Sequence, residues 1–383
     1  MRFPEFSGEW ERCTIGDITR NFSLRNKDKI QYPMFSVTNS RGFVPQSEQF
    51  EDREMIGEDI KAYKIIHEGD FAYNPARINV GSIAKYDKSE PCMISSLYVC
   101  FKALQQINNE WLMQLLKTPK MNFYYNVNGE GGVRVYLFYP NFARIRTSYP
   151  SLAEQQKIAS FLSLLDQRIE TQRKIIEKYE SLIRGLITSV NKGEICKCKA
   201  TALKDVLTEV HEKNVENHEV CSVSVSQGVI NQIDYLGRSF AAKEVLHYNV
   251  VNYGDIVYTK SPTGEFPYGI VKRSNLDRPV AVSPLYGVYR PVNDYVGIYL
   301  HLYFKSPVNT KNYLHRLIQK GAKNTINITN QHFLDNQILI PEHGLLEIIV
   351  NAASTIEKMI QIECDALLWL ERQKNYLLSK MFI

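Results

Sequence analysis

Sliding the sequence against itself by about half its length brings a series of unconnected landmarks together in order, so the chain reads as two copies of one design laid end to end. Ser36-Val37 with Gly42 and Gln46 fall on Ser222-Val223 with Gly228 and Gln232, a shift of 186. Gly69-Asp70 with Tyr73 fall on Gly254-Asp255 with Tyr258, a shift of 185. Ser95, Leu97, Tyr98 and Lys117-Thr118-Pro119 fall on Ser283, Leu285, Tyr286 and Lys305-Ser306-Pro307, a shift of 188. Phe142, Pro150, Leu165 and Ile169 fall on Phe333, Pro341, Ile356 and Ile360, a shift of 191. A drifting offset is what loop insertions do to a duplicated fold, because surface loops tolerate length changes and packed elements do not.

Each copy ends in a helical pattern. From Leu162, the positions Leu165, Ile169, Gln172, Ile176, Tyr179, Ile183, Leu186 and Val190 step by alternating three and four residues, the seam of a left-handed coiled coil. The second copy repeats it at Ala353, Ile356, Ile360, Glu363, Leu367, Leu370, Lys374, Leu377 and Met381. Gln172 and Glu363 occupy the same step, where a polar group costs stability and fixes register. Two like units in one chain often pack about a pseudo-two-fold axis, which predicts antiparallel helices with a globular part at each end. About 40 residues of helix rise roughly 60 Å at about 1.5 Å per residue. That is comparable with one or two turns of DNA, at about 34 to 36 Å each. A rod of this kind carrying two heads can act as a ruler.

Within each globular half, the pattern predicts mixed α and β structure. Gly69 to Tyr73, Ser82 to Tyr86, Leu97 to Phe101, Asp255 to Thr259, Gly269 to Lys272 and Leu285 to Tyr289 are short, β-branched or aromatic, and bounded by turn residues. Trp111 to Lys117 and Ile298 to Phe304 read as helices ended by a following proline. The expected fold class is therefore α+β: two similar mixed domains, each followed by a long helix, the helices packed as an antiparallel coiled coil. The divisions are 1–150 for the first domain, 151–192 for its helix, 193–341 for the second domain and 342–383 for its helix.

Composition narrows the function classes. The 383 residues, 44% hydrophobic, suffice for two ordinary cores plus the helices. The Met1 to Trp10 segment is polar and no apolar run reaches the length of a membrane span, so neither a signal peptide nor a transmembrane helix is expected. Seven scattered cysteines suit a reducing cytoplasm. Cys196 and Cys198 lie in the linker Asn191 to Ala200 with no second pair at ligand spacing, so no zinc or other metal site is expected. The net charge of +5 is compatible with a polyanionic partner.

Signals for catalysis are missing. Methyl transfer to a base amino group calls for Asn or Asp followed by Pro-Pro and an aromatic, but Asn74-Pro75-Ala76-Arg77 lacks the second proline and the aromatic. No Gly-Lys pair exists to build a Walker loop. Asp59-Ile60-Lys61 is a triplet common by chance, and no Pro-Asp precedes it to make a nuclease site. Asp70 and Asp255 are the matched acids of the strand region, and a Gly-Asp at a strand start reads as a turn with its carboxylate on the backbone. The chain reads as a recognition protein, with no reaction and no cofactor of its own.

These features resemble the specificity subunit of type I restriction-modification systems. The resemblance rests on two globular domains each followed by a long helix, and above all on Pro150-Ser151-Leu152-Ala153-Glu154-Gln155-Gln156-Lys157-Ile158-Ala159, similar to the Pro, Glu-Gln and Ile pattern that opens the helix after a target recognition domain. Leu165-Asp166, Ile169-Glu170, Leu182 and Gly185-Leu186 continue it, and the likeness runs from Trp10 to Phe382. The second copy departs, reading Pro341-Glu342-His343-Gly344-Leu345-Leu346-Glu347. If the Glu-Gln pair touches a partner subunit, the second contact must differ. The resemblance implies that each domain reads one half of a split double-stranded DNA sequence and the helices set the unread gap. It also implies a core on which two methyltransferase subunits and two ATP-driven restriction subunits assemble, with S-adenosylmethionine, ATP and Mg²⁺ belonging to those partners.

Base readout in the major groove draws on Arg or Lys for guanine, Asn or Gln for adenine, and Ser or Thr as adaptable donors. The first half offers Asn74, Arg77, Asn79 and Ser82, with the turn Gly131-Gly132 followed by Arg134 and Tyr136. The second offers Thr259, Lys260, Ser261 and Thr263, with Lys323, Asn324, Thr325 and Asn327. Arg20, Arg25, Lys27 and Lys29 form a basic cluster suited to phosphate. A coiled-coil scaffold joining two heads for non-DNA ligands would also explain the repeat, and salt sensitivity of binding separates the two readings.

Overall fold

The structure, a computed structural model, describes residues 1–49, 60–131, 135–237, 244–317, 319–320 and 326–382. It divides into two compact units, Met1–Arg173 with Asp365–Ile383, and Lys174–Cys364. The first is made of two separate stretches and the second of one, because each takes one half of each long helix.

In the first unit, β1 (Glu11–Thr14) pairs antiparallel with β10 (Arg146–Tyr149). A four-stranded sheet runs in the order β2 (Thr19–Phe22), β9 (Val99–Ala103), β6 (Phe71–Tyr73), β7 (Ile83–Lys85). Two further antiparallel pairs flank it, β3 (Phe35–Thr38) with β4 (Gly42–Pro45) and β5 (Lys64–Ile66) with β8 (Cys92–Ile94). The second unit repeats this strand for strand. There β11 (Cys198–Ala202) pairs with β20 (Gln337–Pro341), and the sheet order is β12 (Leu207–Glu209), β19 (Gly287–Pro291), β16 (Ile256–Tyr258), β17 (Val271–Arg273). The flanking pairs are β13 (Cys221–Ser224) with β14 (Gly228–Asn231) and β15 (Asn249–Val251) with β18 (Val280–Val282). Registers agree as well: Phe71 faces Phe101 across β6 and β9, and Ile256 faces Tyr289 across β16 and β19. Even a left-handed residue is repeated, Lys29 at φ 56° and Asn217 at φ 57°.

The strands expected from the sequence all form. The helices correct one detail. In the first unit α1 (Asn109–Leu116) is followed at once by α2 (Pro119–Asn128), and in the second α4 (Asp294–Phe304) by α5 (Pro307–His315). Pro119 and Pro307 therefore open a helix as well as closing the one before. Proline fits the first helical position, where its missing N–H has no intrahelical acceptor. The Thr118 hydroxyl accepts from Met121 N at 3.2 Å and the Ser306 hydroxyl from Asn309 N at 3.3 Å, completing the caps.

Each core is built around one phenylalanine. Phe142 lies 5.1 Å from the Tyr73 ring and 5.4 Å from Phe101. Its counterpart Phe333 stacks on Tyr258 at 4.9 Å and on Tyr289 at 4.8 Å, both at 16°. Asp70 and Asp255 are buried and close their turns as expected: His67 N donates to Asp70 Oδ2 and Asn252 N to Asp255 Oδ2, each at 2.9 Å. Each carboxylate also meets a cation from the adjoining strand, Lys102 at 3.2 Å and Arg290 at 3.1 Å. The matched acids are structural.

The long helices are α3 (Leu152–Asn191) and α6 (His343–Met381). Every seam position named from the sequence is buried or half-buried. In the first unit Leu162 joins one core cluster with Leu377, Leu378 and Met381, Asp166 binds Lys374, and Arg173 lies 2.6 Å from Glu371. Numbers rising on α3 as they fall on α6 make the packing antiparallel. In the second unit Ile183, Ile187 and Val190 share a core with Leu346, Ile349, Val350 and Ala353.

At the start of α3, Glu154 and Gln155 face inward. The Gln155 amide oxygen accepts from Asn108 N at 2.8 Å, and its nitrogen donates to the Gln106 and Pro150 carbonyls at 3.1 and 2.9 Å. Arg2 donates to both Glu154 oxygens at 2.8 and 2.6 Å, with Trp10 Nε1 at 3.4 Å. The pair is an internal latch, so its loss at Leu345-Leu346 removes no partner contact made by these side chains. Leu346 is buried and fills the matching place with apolar packing.

Candidate nucleic-acid interface

Four of the residues expected at the first half-site share one cleft of about 750 Å³: Asn74, Arg77, Asn79 and Tyr136. The local sequence places them. Asn74 follows strand β6 and its side-chain oxygen accepts from Ala76 N at 3.0 Å, an Asx turn that swings Pro75 and Ala76 round and leaves Arg77 exposed. Leu137 N then donates to the Pro75 carbonyl at 2.9 Å, fastening the second loop to the first. Glu130 and Tyr136 exchange backbone hydrogen bonds at 2.8 Å and close the loop that carries Gly131. Asn79 is held by Nδ2 donation to Asn126 Oδ1 at 3.0 Å.

The cleft also holds aromatic and apolar groups. Tyr136 and Phe138 lie nearly parallel, with ring centroids 6.3 Å apart at 11°. Leu97, between β8 and β9, is 77% exposed on its rim, and its counterpart Leu285 is 75% exposed in the second unit. Both leucines stand on the same tight turn, with Leu97 N donating to Ser95 Oγ at 3.4 Å and Leu285 N to Ser283 Oγ at 3.3 Å. A guanidinium, two amides, a phenol and exposed apolar groups on fixed turns can meet base edges and the thymine methyl in a groove. Leu97 and Leu285 are landmarks of the repeat in sequence, but their exposure depends on the tertiary course of the turn and is visible only in the fold.

In the second unit, the loop after β16 carries Lys260, Ser261 and Thr263. Ser261 and Thr263 are exposed, and Thr263 exchanges backbone bonds with Phe266 at 3.0 and 2.9 Å. Burial holds the half-buried Lys260 ammonium below its ordinary pKa, while Glu209 opposes the shift. Asn327 ends the short pair Gln319–Lys320 with Ile326–Asn327.

Two expected contacts are corrected. Ser82 is buried and its hydroxyl donates to the Val37 carbonyl at 2.7 Å, and Thr259 is buried with its hydroxyl accepting from Ile270 N at 3.2 Å. Both fasten strands rather than face outward. Gly132, Arg134, Lys323, Asn324 and Thr325 lie outside the described residues. Arg20, Arg25, Lys27 and Lys29 are all exposed.

Among the described residues, no group of three His, Cys, Asp or Glu is placed to hold a metal, and no helix is long and apolar enough to cross a membrane. The Cys196 and Cys198 sulfurs are 3.4 Å apart, and both are free thiols.

Residues 7–180 match the family model for the type I restriction modification DNA specificity domain. No curated protein matches the sequence. In fold, the chain is similar to the S subunit of a type I restriction-modification system from M. genitalium, with TM-score 0.57 and 10% identity over 100% of this chain and 98% of that one. It is also similar, at TM-score 0.56 and 13% identity over 98% of each chain, to a chain from a structure addressing complex assembly and conformational transition of the type I R-M system. Residues 7–180 thus carry a type I restriction modification DNA specificity domain, and the topology of the first unit is repeated strand for strand in the second.

Proposed function

We propose that each unit reads one half of a split DNA target, while α3 and α6 fix the number of unread base pairs between the halves. The DNA-specificity role rests on the domain matched at residues 7–180; the division of labour is our reading. The observation that carries it is the duplication, which supplies two readers of one topology, with Asn74, Arg77, Asn79 and Tyr136 gathered in one cleft of the first. Gly131, Gly132 and Arg134 complete that reader, while Lys260, Ser261 and Thr263 with Lys323, Asn324, Thr325 and Asn327 form the second. In this reading the readers are 1–150 and 193–341, and the spacers 151–192 and 342–383.

The chain would act in the cytoplasm as the address-bearing member of a complex. Two methyltransferase subunits bring S-adenosylmethionine, and two restriction subunits bring ATP and Mg²⁺. Mapping methylated positions in cells that carry this chain and its methyltransferase partner tests the reading. A bipartite motif with a fixed gap is expected, and a continuous motif rejects it. Removing one heptad from both seams should alter the gap, and an unchanged gap rejects the ruler.

A further inference from the structure

Each unit has a cleft where its long-helix face meets the start of its second short helix. In the first unit Leu116, Lys117 and Pro119 face Lys374, Asn375 and Leu378 across about 560 Å³. In the second, Lys305, Ser306 and Pro307 face Ile183, Arg184 and Ile187 across about 670 Å³. Residue for residue these are the same place, since Ile183, Arg184 and Ile187 stand 191 before Lys374, Asn375 and Leu378.

The two clefts differ in how their basic groups are paired. In the first, Lys374 is bound to Asp166 and the matching position of strand β7 is Ala84. In the second, that strand position is Lys272, which lines the cleft, is 4% exposed and has no hydrogen-bond or ion-pair partner among the described residues. Lys305 beside it is 3.2 Å from Glu357. Burial, with the nearby Lys305 charge, pushes the Lys272 ammonium down to about 8. His301 is pushed down to about 3, by burial first and then by Lys272, so it is neutral and supplies no counter-charge. The acids at the edge, Glu180 and Glu265, are exposed; Glu180 lies 3.6 Å from Arg184, and neither is paired with Lys272. A buried ammonium without an anion is costly unless something arrives to meet it.

We propose that the cleft of the second unit is a phosphate site, in which Lys272 on the floor, Lys305 and Arg184 on the wall, and the Ser306 end of α5 receive one phosphate group. A helix start adds positive potential to that of the two lysines and the guanidinium. A DNA backbone phosphate and a free phosphate compound present the same chemistry here. The backbone source rests on the DNA reading above; the free source does not.

The full-length chain is titrated with inorganic phosphate by calorimetry against chloride at constant ionic strength, as wild type, Lys272→Met and Lys272→Arg. Saturable binding weakened at least tenfold in Lys272→Met and retained in Lys272→Arg is expected. Should Lys272→Met fail to fold, Lys272→Ala replaces it, because alanine stands at the matched position of the first unit. In a second arm, duplexes of the mapped target carry single neutral methylphosphonate linkages along the second half-site. At one or two positions these should weaken wild-type binding about tenfold and have no effect on Lys272→Met. Response in the second arm assigns the backbone phosphate, and response in the first alone assigns a free phosphate compound. If neither arm depends on Lys272, the proposal is overturned. A target duplex that no variant binds would sink the DNA reading instead, leaving the calorimetric arm to judge the site.

Discussion

The two units share the four-stranded sheet and its three flanking strand pairs, yet they fasten their long-helix starts by opposite means. The first uses polar groups, with Gln155 making three hydrogen bonds and Glu154 held by Arg2 and Trp10. The second uses Leu346, Ile349 and Val350. A duplicated topology therefore does not require duplicated chemistry at each joint; it requires that the joint be filled and its polar groups satisfied. The same holds at the clefts, where Ala84 and Lys272 occupy one sheet position with opposite consequences for charge.

The comparison breaks most visibly if the matched aromatics are not equivalent. Phe142→Ala and Phe333→Ala should each destabilise their unit by about 3 to 5 kcal/mol, the usual cost of emptying a core phenylalanine site. Denaturant unfolding of the two variants checks this, and a cost confined to one of them would show that the cores carry unequal weight. Next, Gln155→Ala leaves Asn108 N–H and two carbonyls without partners and should cost about 3 kcal/mol. Leu346→Gln should cost about as much for the opposite reason, an amide placed among apolar groups. A tolerated Leu346→Gln would mean that the joints are interchangeable.

A smaller effect is expected at Lys272. Its folded-state pKa is depressed to about 8 from an unfolded value near 10.5, so below pH 8 the folded state must hold a proton against burial, and stability rises as pH climbs from about 8 toward 10.5. Lys272→Ala should accordingly gain about 2 kcal/mol at pH 7, the advantage vanishing by about pH 10.5. Unfolding midpoints measured across that range decide it. The smallest stability change, within about 0.5 kcal/mol, is expected for Leu97→Ser and Leu285→Ser, which lie at the surface. Each should instead weaken DNA binding at its own half-site, read by filter binding or fluorescence anisotropy. Unimpaired binding by both would remove the turns from the interface.

Much of this was legible in the residues. Short β-branched and aromatic runs between turn residues marked the strands, heptad patterning marked the seams because it reports directly which face is buried, and the drifting offsets revealed the repeat. The inward course of Gln155 was not legible, because a Glu-Gln pair opening a helix reads as solvated until the Asn108 backbone beneath it is placed. Ser82 and Thr259 were misjudged for a related reason: small polar residues beside a strand end serve a sheet as readily as a ligand. The role of Pro119 and Pro307 as helix openers lay in the preceding Thr118 and Ser306, a capping signal overlooked beside the more obvious stop.

Leu377, Leu378, Met381 and Phe382 belong to the same core as Trp111 and Phe142. A ribosome adds about 5 to 20 residues per second, so residues 1–173 emerge well before the 365–382 stretch that covers their apolar face. The second unit, enclosed between positions 174 and 364, can complete itself earlier. The portion made first is thus finished last, and removing a dozen residues after Leu370 should damage the amino-terminal reader and spare the other.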